Sequence, residues 1–335
     1  MDTVISNVSK EASQIQEIAV KVSPLAYDSE SFVSISAQEQ GLSLREWLAE
    51  NLNAVENLLS KKGAILFRGF DMDTIEKFNG LATCFNADPI PYMFRSSPRY
   101  SLADNVYVST TYPSARTINM HSESSYSYVW GKKIMFCCII APQEQGETPI
   151  ADNRRVIKGL SAGLINKFRD KGVLYQRLLS PHIGMPWQEV FQTDDQQEVI
   201  NVCRENNIKC IFRNGTDLLI QWKRPAICEH PSTGELIWFN HAYFFNKYSI
   251  YTEMNLSPED DLPEDLMPSN TFYGDGSEIT YEDYMEIKSV YEAERVYFPW
   301  QTGDVLLLDN MLTAHGRNAY KGERKIVVAI MEPSS

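Results

Sequence analysis

Gly303-Asp-Val-Leu-Leu-Leu-Asp-Asn-Met-Leu-Thr-Ala-His-Gly-Arg317 is the stretch whose reading decides the fold. Trp300-Gln-Thr-Gly303 before it is a turn. Residues 304–308 form an apolar run short enough to be a fully buried strand. That strand delivers the chain to Asp309-Asn310 and on to His315. After the turn Lys321-Gly-Glu323, Arg324 opens a last apolar strand that runs to residue 330. Further strands are expected at 63–70, 105–109, 118–121, 134–140, 218–222, 226–229 and 236–239, punctuated by turn chemistry such as Pro231-Ser-Thr-Gly234. Leu44, Trp47, Leu48, Leu52, Val55, Leu58 and Leu59 recur at helical spacing and predict a helix over 43–61. Helices are also expected at 74–84 with Asp73 as its cap, at 156–171 stopping at Gly172, across much of 185–207, and at 281–298. Residues 254–280, rich in Pro, Asp, Glu, Gly and Ser, read as a long surface excursion or lid. Strands scattered along the chain, with helices in the first half and as insertions, predict a mainly-β fold with helical decoration, a β-sandwich or jelly roll. The expected organisation is a partly ordered polar extension over 1–40, then a single domain over 41–335 with a lid or insert around 175–290.

The 335 residues are 43% hydrophobic, enough for a sizeable core. The formal net charge of −13 argues against nucleic acid, whose phosphates would be repelled, and against an anionic membrane surface as partners. It leaves small anionic substrates open, since these need only a local basic pocket. Cys84, Cys137, Cys138, Cys203, Cys210 and Cys228 contain no C-x-x-C pair and predict free thiols in a reducing compartment. Residues 1–14 are polar, without an apolar signal core, and no apolar run approaches the ~18 residues of a membrane span. The expectation is a soluble cytoplasmic protein with no membrane partner.

The chemistry centres on His121-Ser-Glu123 and the distal His315. On an extended segment, residues i and i+2 point to one side, so His121 and Glu123 can reach one metal together. Two neutral imidazoles and a carboxylate hold a ferrous ion on one face and leave three positions open. Of the other histidines, His182 sits near Pro181 and Pro186, His230 precedes Pro231 as a turn residue, and His241 is the most credible rival ligand. Arg324 beside an apolar strand is costly to bury unless it meets an anion, and a dicarboxylate would supply one. The plainer reading is a strand-end arginine paired with a surface acid. Thr148, in Gly146-Glu-Thr-Pro-Ile-Ala-Asp152, would offer its hydroxyl to the same carboxylate.

These segments, with Val106-Tyr-Val-Ser-Thr110, Tyr112-Pro113, His121-Ser-Glu-Ser-Ser-Tyr126, His230-Pro-Ser-Thr-Gly-Glu235, Trp238-Phe-Asn240, Tyr273-Gly-Asp-Gly276 and Phe298-Pro-Trp300, carry a resemblance. From about residue 60 to its end the chain resembles the taurine dioxygenase / 2,4-dichlorophenoxyacetate dioxygenase family of Fe(II)/2-oxoglutarate oxygenases. Within that family it is similar to the syringomycin aspartyl hydroxylase-like branch, which acts on amino acids in natural-product pathways. The resemblance implies a double-stranded β-helix, the cupin-like jelly roll. It implies iron on His121, Glu123 and His315, and the distal carboxylate of 2-oxoglutarate on Arg324 with Thr148 in support. It also implies O2 as co-substrate, and succinate and carbon dioxide as products alongside an oxidised aliphatic C–H. A Glu rather than an Asp ligand leans toward an amino-acid-type substrate and argues against the halogenating relatives, which lack the carboxylate. Several relatives carry a second arginine four residues after the first, where this chain has Val328. Arg317, Arg95 and Arg99 are then candidates for a substrate acid, and Tyr126 and Asn240 for other substrate contacts.

Hydroxylation of a free or carrier-bound amino-acid-like substrate is the expected reaction, and desaturation or epoxidation would use the same residues. Lys132-Lys133 and Arg154-Arg155 are the candidate docking patch for a carrier protein, or else solvated charge. Two other classes fit part of the pattern. A zinc-dependent hydrolase would use the triad with a bound water but has no reason for Arg324 and Thr148. A non-catalytic jelly-roll binding protein would carry the triad as a relic.

Overall fold

The computed structural model describes residues 15, 19–25, 31–85, 101–103, 106–110, 112–260 and 262–335. Its backbone is an eight-stranded sheet in the order Val20–Pro24, Phe32–Ala37, Ala64–Arg68, Val305–Asp309, Trp130–Ile140, Lys325–Ser334, Val106–Val108, Ser101–Ala103. Every neighbouring pair is antiparallel except Phe32–Ala37 with Ala64–Arg68, which run parallel. The sheet is buried on both faces, so its strands read as continuous apolar runs rather than alternating ones. Ile65, Phe67, Leu307 and Val327 pack to one side, against Trp47, Leu48, Val55 and Leu59 of the Leu44–Lys62 helix. Leu66, Phe136, Leu308 and Val328 pack to the other side, with Ile150, Phe298 and Trp300. This alternation follows from the two-residue period of a strand.

Facing that second side is a three-stranded sheet in the order Ile118–His121, Thr313–Arg317, Ile150–Asp152. A four-stranded sheet, Lys209–Arg213, Asp217–Arg224, Val173–Leu179, Ser269–Tyr273, stands beside it with the helices Trp187–Phe191, Gln196–Glu205 and Tyr281–Glu294. The architecture is a jelly roll, or double-stranded β-helix, with helical decoration.

Several local expectations change in the structure. Of the 1–40 segment, Val20–Pro24 and Phe32–Ala37 are strands of the large sheet, so the sheet begins before residue 41. The second helix is Ile75–Ala82, capped by the Thr74 hydroxyl, which accepts from the Lys77 N–H; Asp73 instead forms an ion pair with Lys77. The helix expected over 156–171 is two, Asn153–Gly159 and Ala162–Lys171. The 254–280 stretch is not wholly an excursion, since Ser269–Tyr273 pairs antiparallel with Val173–Leu179.

Candidate active site

His121 and His315 are direct cross-strand partners in the three-stranded sheet. Opposite residues of an antiparallel pair project to the same side, which brings two histidines 194 residues apart in sequence to one place. Their ring centroids lie 4.5 Å apart. The His121 Nδ1–H donates to the Asn119 carbonyl at 2.8 Å, which fixes the tautomer with Nε2 unprotonated. His315 is buried, with the Phe136 ring 5.2 Å away.

Glu123 reaches the same point by a different route from the expected one. The strand ends at His121 and Glu123 opens a turn, followed by Ser124 in the left-handed region at φ 56°. A buried amide holds that turn. Asn310 Oδ1 accepts from the Glu123 N–H at 2.8 Å, and Asn310 Nδ2 donates to the Glu123 carbonyl at 2.9 Å and the Gly131 carbonyl at 2.8 Å. Asn153 Nδ2 donates to Ser122 Oγ at 2.9 Å and to the Met311 carbonyl at 2.8 Å. Neither amide was assigned a role from sequence. The only signal was a polar Asn310 placed directly after a buried strand.

The ligand atoms of His121, Glu123 and His315 lie within 4.8 Å of one another, and His121 Nε2 is 4.0 Å from Glu123 Oε2. Nitrogen and oxygen ligands bind a divalent ion at roughly 2.0–2.2 Å, so side chains this close can meet one ion with small rotations. Two imidazoles, one with its tautomer fixed, and one carboxylate are the donor set of a non-haem Fe(II) site with open positions, and the residues present fit that ion. Among the described residues this is the group of metal-ligating side chains the geometry brings together.

A cavity of about 940 Å³ opens on the triad and is also lined by Thr148, Arg324 and Val328. Burial, and then the charge of Arg317, pushes the Arg324 guanidinium down to about 10, so it is still cationic at neutral pH. Its Nε donates to the Gly146 carbonyl at 3.0 Å, and it lies 5.5 Å from the Tyr320 ring centroid. Among the described residues no carboxylate forms an ion pair with it. The buried Thr148 hydroxyl accepts from Trp300 Nε1 at 3.2 Å, which leaves its own proton to donate.

His241 lines the same cavity, its ring centroid 5.5 Å from that of His121, and it hydrogen-bonds Ser125 Oγ through Nδ1 at 2.7 Å. Burial, followed by the charges of His121 and His315, holds it well below the usual imidazole range and therefore neutral. His230 is a turn residue: it accepts from the Thr233 N–H at Nδ1 and donates through Nε2 to Asp309 at 3.1 Å.

The expected substrate contacts are not all brought to the cavity. Arg317 lines it, but Nη1 donates to the Tyr112 carbonyl and Nη2 to the Pro113 and Arg116 carbonyls, so it staples the 112–116 loop. Tyr126 is packed beneath the site against His241, Phe245 and Trp222 and does not line the cavity. Asn240 spends its amide on the Ala226 carbonyl and the Ala242 N–H, also away from the cavity. Arg95 and Arg99 lie outside the described residues. At the mouth, Tyr112 donates to the Glu253 carboxylate, and Arg116 pairs with it at 3.0 Å. The basic pairs 132–133 and 154–155 are partly neutralised, Lys133 by Glu56 and Glu332, Arg154 by Asp152 and Glu235, and Arg155 by Glu294.

A family model, Taurine catabolism dioxygenase TauD, TfdA family, matches residues 21–331. The chain belongs to the TauD/TfdA dioxygenase family. It is an Fe(II)- and 2-oxoglutarate-dependent dioxygenase, with O2 as the family's usual co-substrate. It is 35% identical over 312 residues to the dapdiamide synthesis protein DdaC of Enterobacter agglomerans, covering 93% of this chain and 94% of that one. It is 28% identical over 286 residues to a clavaminate synthase-like protein of Arabidopsis thaliana, covering 82% of this chain and 83% of that one. Among solved structures, PvcB of Pseudomonas aeruginosa, an Fe, alpha-ketoglutarate dependent oxygenase from an isonitrile synthetic pathway, superposes with a TM-score of 0.56 at 13% identity. That match covers 95% of this chain and 93% of PvcB. AAD-2, solved with Mn(II) and N-oxalylglycine, gives 0.54 at 13% identity over 95% of this chain and 99% of its own. At these identities the two structures speak for the TauD/TfdA fold alone. No helix is long and apolar enough to cross a membrane among the described residues.

Proposed function

We propose that this dioxygenase hydroxylates an aliphatic C–H of an amino-acid-type substrate in a natural-product pathway in the cytoplasm, with His121, Glu123 and His315 as its iron ligands. The observation that carries the reading is the convergence of those three ligand atoms within 4.8 Å, in the cavity that Arg324 and Thr148 also line. The named pathway of one relative, dapdiamide synthesis, supports the pathway class.

With 2-oxoglutarate and O2, bound iron supplies the oxidising chemistry. The protein's share is binding, orientation and dryness. Arg324 and Thr148 hold the distal carboxylate of 2-oxoglutarate, the guanidinium as a planar two-point donor and the hydroxyl through the proton that Trp300 leaves free. Asn119 keeps His121 in the tautomer that offers Nε2, and Asn310 keeps Glu123 turned inward. Phe136 and Val328 give the cavity an apolar wall that limits water near the C–H. As an iron ligand Glu123 would supply the carboxylate that halogenating relatives lack, which argues against a halogenated product.

The test is a screen of purified, iron-loaded protein against amino acids and their acyl and carrier-bound derivatives. Oxygen-dependent succinate formation is read above the substrate-free background. A product that gains one oxygen atom, placed on a saturated carbon by NMR, is the expected outcome. A product that loses two hydrogens, or one carrying an epoxide, would replace hydroxylation by a sister reaction of the same centre. Hydrolysis that persists without oxygen would overturn the proposal.

A further inference from the structure

Asn119 stands two residues before His121 on the strand Ile118–His121, so the two side chains project to the same face. Both line the cavity, while Met120 between them turns the other way into a core cluster. Two strand residues span roughly 6–7 Å, which puts the Asn119 amide within a small amino acid's length of the ligand cluster.

The neighbours of that amide decide which way round it sits. Asn119 Nδ2 meets Ser249 Oγ, on the Lys247–Met254 helix, at 3.3 Å. A hydroxyl has one proton to give and two lone pairs to accept with. The Ser249 proton goes to the Tyr243 carbonyl at 2.8 Å, since a carbonyl can only accept. Ser249 Oγ therefore accepts from the hydroxyl of the buried Tyr284 at 3.2 Å and from Asn119 Nδ2. Turned the other way, the amide would set Oδ1 against an oxygen with no hydrogen left to offer. Oδ1 is thus the end of the amide not held by Ser249. Among the described residues no protein group donates to it, and on this half-buried side chain it is not walled off from the cavity.

An incoming nitrogen has few other acceptors of comparable strength. The carboxylates lining the cavity among the described residues are those of Glu123 and Glu253. The first is a proposed iron ligand, and the second is engaged by Arg116 and Tyr112 at the mouth. We infer that Asn119 Oδ1 accepts an N–H of the substrate, so that the oxidised carbon lies a few bonds from a nitrogen that carries hydrogen. This rests on the proposed function, because it takes His121 as an iron ligand, and it narrows the substrate of that same site. An ammonium or an amide N–H satisfies Oδ1. A fully alkylated nitrogen or a nitrogen-free acid leaves it without a hydrogen bond.

The test uses the full chain loaded anaerobically with Fe(II) and 2-oxoglutarate, and follows the visible absorption of that complex as probes are added. The probes are the proteinogenic L-amino acids and their N-acetyl derivatives, which distinguish an ammonium from an amide N–H. Each one that binds is compared with its deaminated analogue and its N-acetyl-N-methyl analogue, neither of which has an N–H at that position. In the wild type the N–H-bearing member should bind more tightly, by about 3- to 10-fold for an amide and about 10- to 100-fold for an ammonium. Asn119→Ala, which keeps the backbone carbonyl that holds His121, should erase that preference. It should leave the deaminated analogue and 2-oxoglutarate bound as before. Ser249→Ala, which frees the amide to turn, should reduce the preference part-way. If Asn119→Ala does not fold, Ser249→Ala and the wild-type comparisons carry the test. The inference is overturned if no amino acid or N-acetyl derivative binds the wild type, if the compared members bind alike, or if Asn119→Ala keeps the preference. It is also overturned if Asn119→Ala weakens both members equally, since Asn119 would then shape the cavity without holding the nitrogen. Failure of the wild type to form the iron–2-oxoglutarate absorption at all sinks the metal-site reading instead, and this inference with it.

Discussion

Glu123 lies close to His121, as spacing predicts, but by another backbone route. Spacing from His121 put the two side chains near one another, and they are near, but an extended backbone does not bring them there. Glu123 lies in a turn gripped by the Asn310 amide, 187 residues further along. A hydrogen bond of that span leaves no local trace, and neither does the Asn153 amide that holds Ser122 and Met311. His121 and His315 were legible because each sits in or at the end of a short strand. Arg324 was legible because a cation against an apolar run asks for an anion. Tyr126 and Asn240 were drawn from motifs that turn out to serve packing and a turn. Two outcomes follow. Glu123→Ala should lose substrate-coupled succinate release by more than roughly 100-fold, the upper end of what removing a ligand's supporting partner costs. An oxygen-electrode assay alongside succinate detection checks it, and full activity would refute the ligand set. Arg324→Leu should raise the 2-oxoglutarate concentration for half-saturation roughly 10- to 100-fold. It should leave the thermal melting point level or higher, because a desolvated cation is removed.

Among the elements, the Leu44–Lys62 helix was read almost to the residue, since its apolar stripe and the Ser43 cap, which accepts from the Glu46 N–H, are local features. The break in the expected 156–171 helix was not legible, because a tertiary contact makes it. The Ser161 N–H donates to the Glu286 carboxylate at 2.6 Å, and Ser161 Oγ caps the next helix by accepting from Leu164. Gly63 links the first helix to the site. It ends the helix at φ 74°, and its carbonyl accepts from the Asp309 N–H at 2.9 Å and from the Thr313 hydroxyl at 2.8 Å. Those two contacts frame the segment that holds Asn310 and leads to His315. A Cβ at Gly63 would stand 2.7 Å from Thr313 Oγ1. Gly63→Ala should therefore destabilise the fold by about 1–3 kcal/mol through a strained left-handed backbone and this close contact. Iron affinity should weaken with it. Urea unfolding and anaerobic iron titration read the two effects separately, and an unchanged unfolding midpoint would contradict the account.

On the scale of the whole molecule, the jelly roll was legible from its central strands, which are apolar throughout because both faces are covered. The two N-terminal strands were not. Val20–Pro24 and Phe32–Ala37 are short, sit in a polar context, and owe their place to a parallel pairing with Ala64–Arg68. They are nonetheless integral, with Phe32, Val33 and Ile35 fully buried in the cores on the two faces of the sheet. Phe32→Ala should cost about 3–5 kcal/mol of stability, the usual result of emptying a buried phenyl site. A loss under about 1 kcal/mol by chemical denaturation would mean that this strand is dispensable.

Tyr112 and Arg116 on one rim and Glu253 on the other span the mouth of the cavity, and Arg116 and Glu253 are 47% and 36% exposed. Desolvation already pushes the Glu253 carboxyl above its ordinary value, so the anion is not at ease there. Anything too large to slip past must part a contact whose strength depends on dissolved ions. Release of bound product, read directly by rapid-mixing displacement, should therefore quicken as sodium chloride is added. Removing the bridge with Glu253→Gln should abolish that dependence on salt.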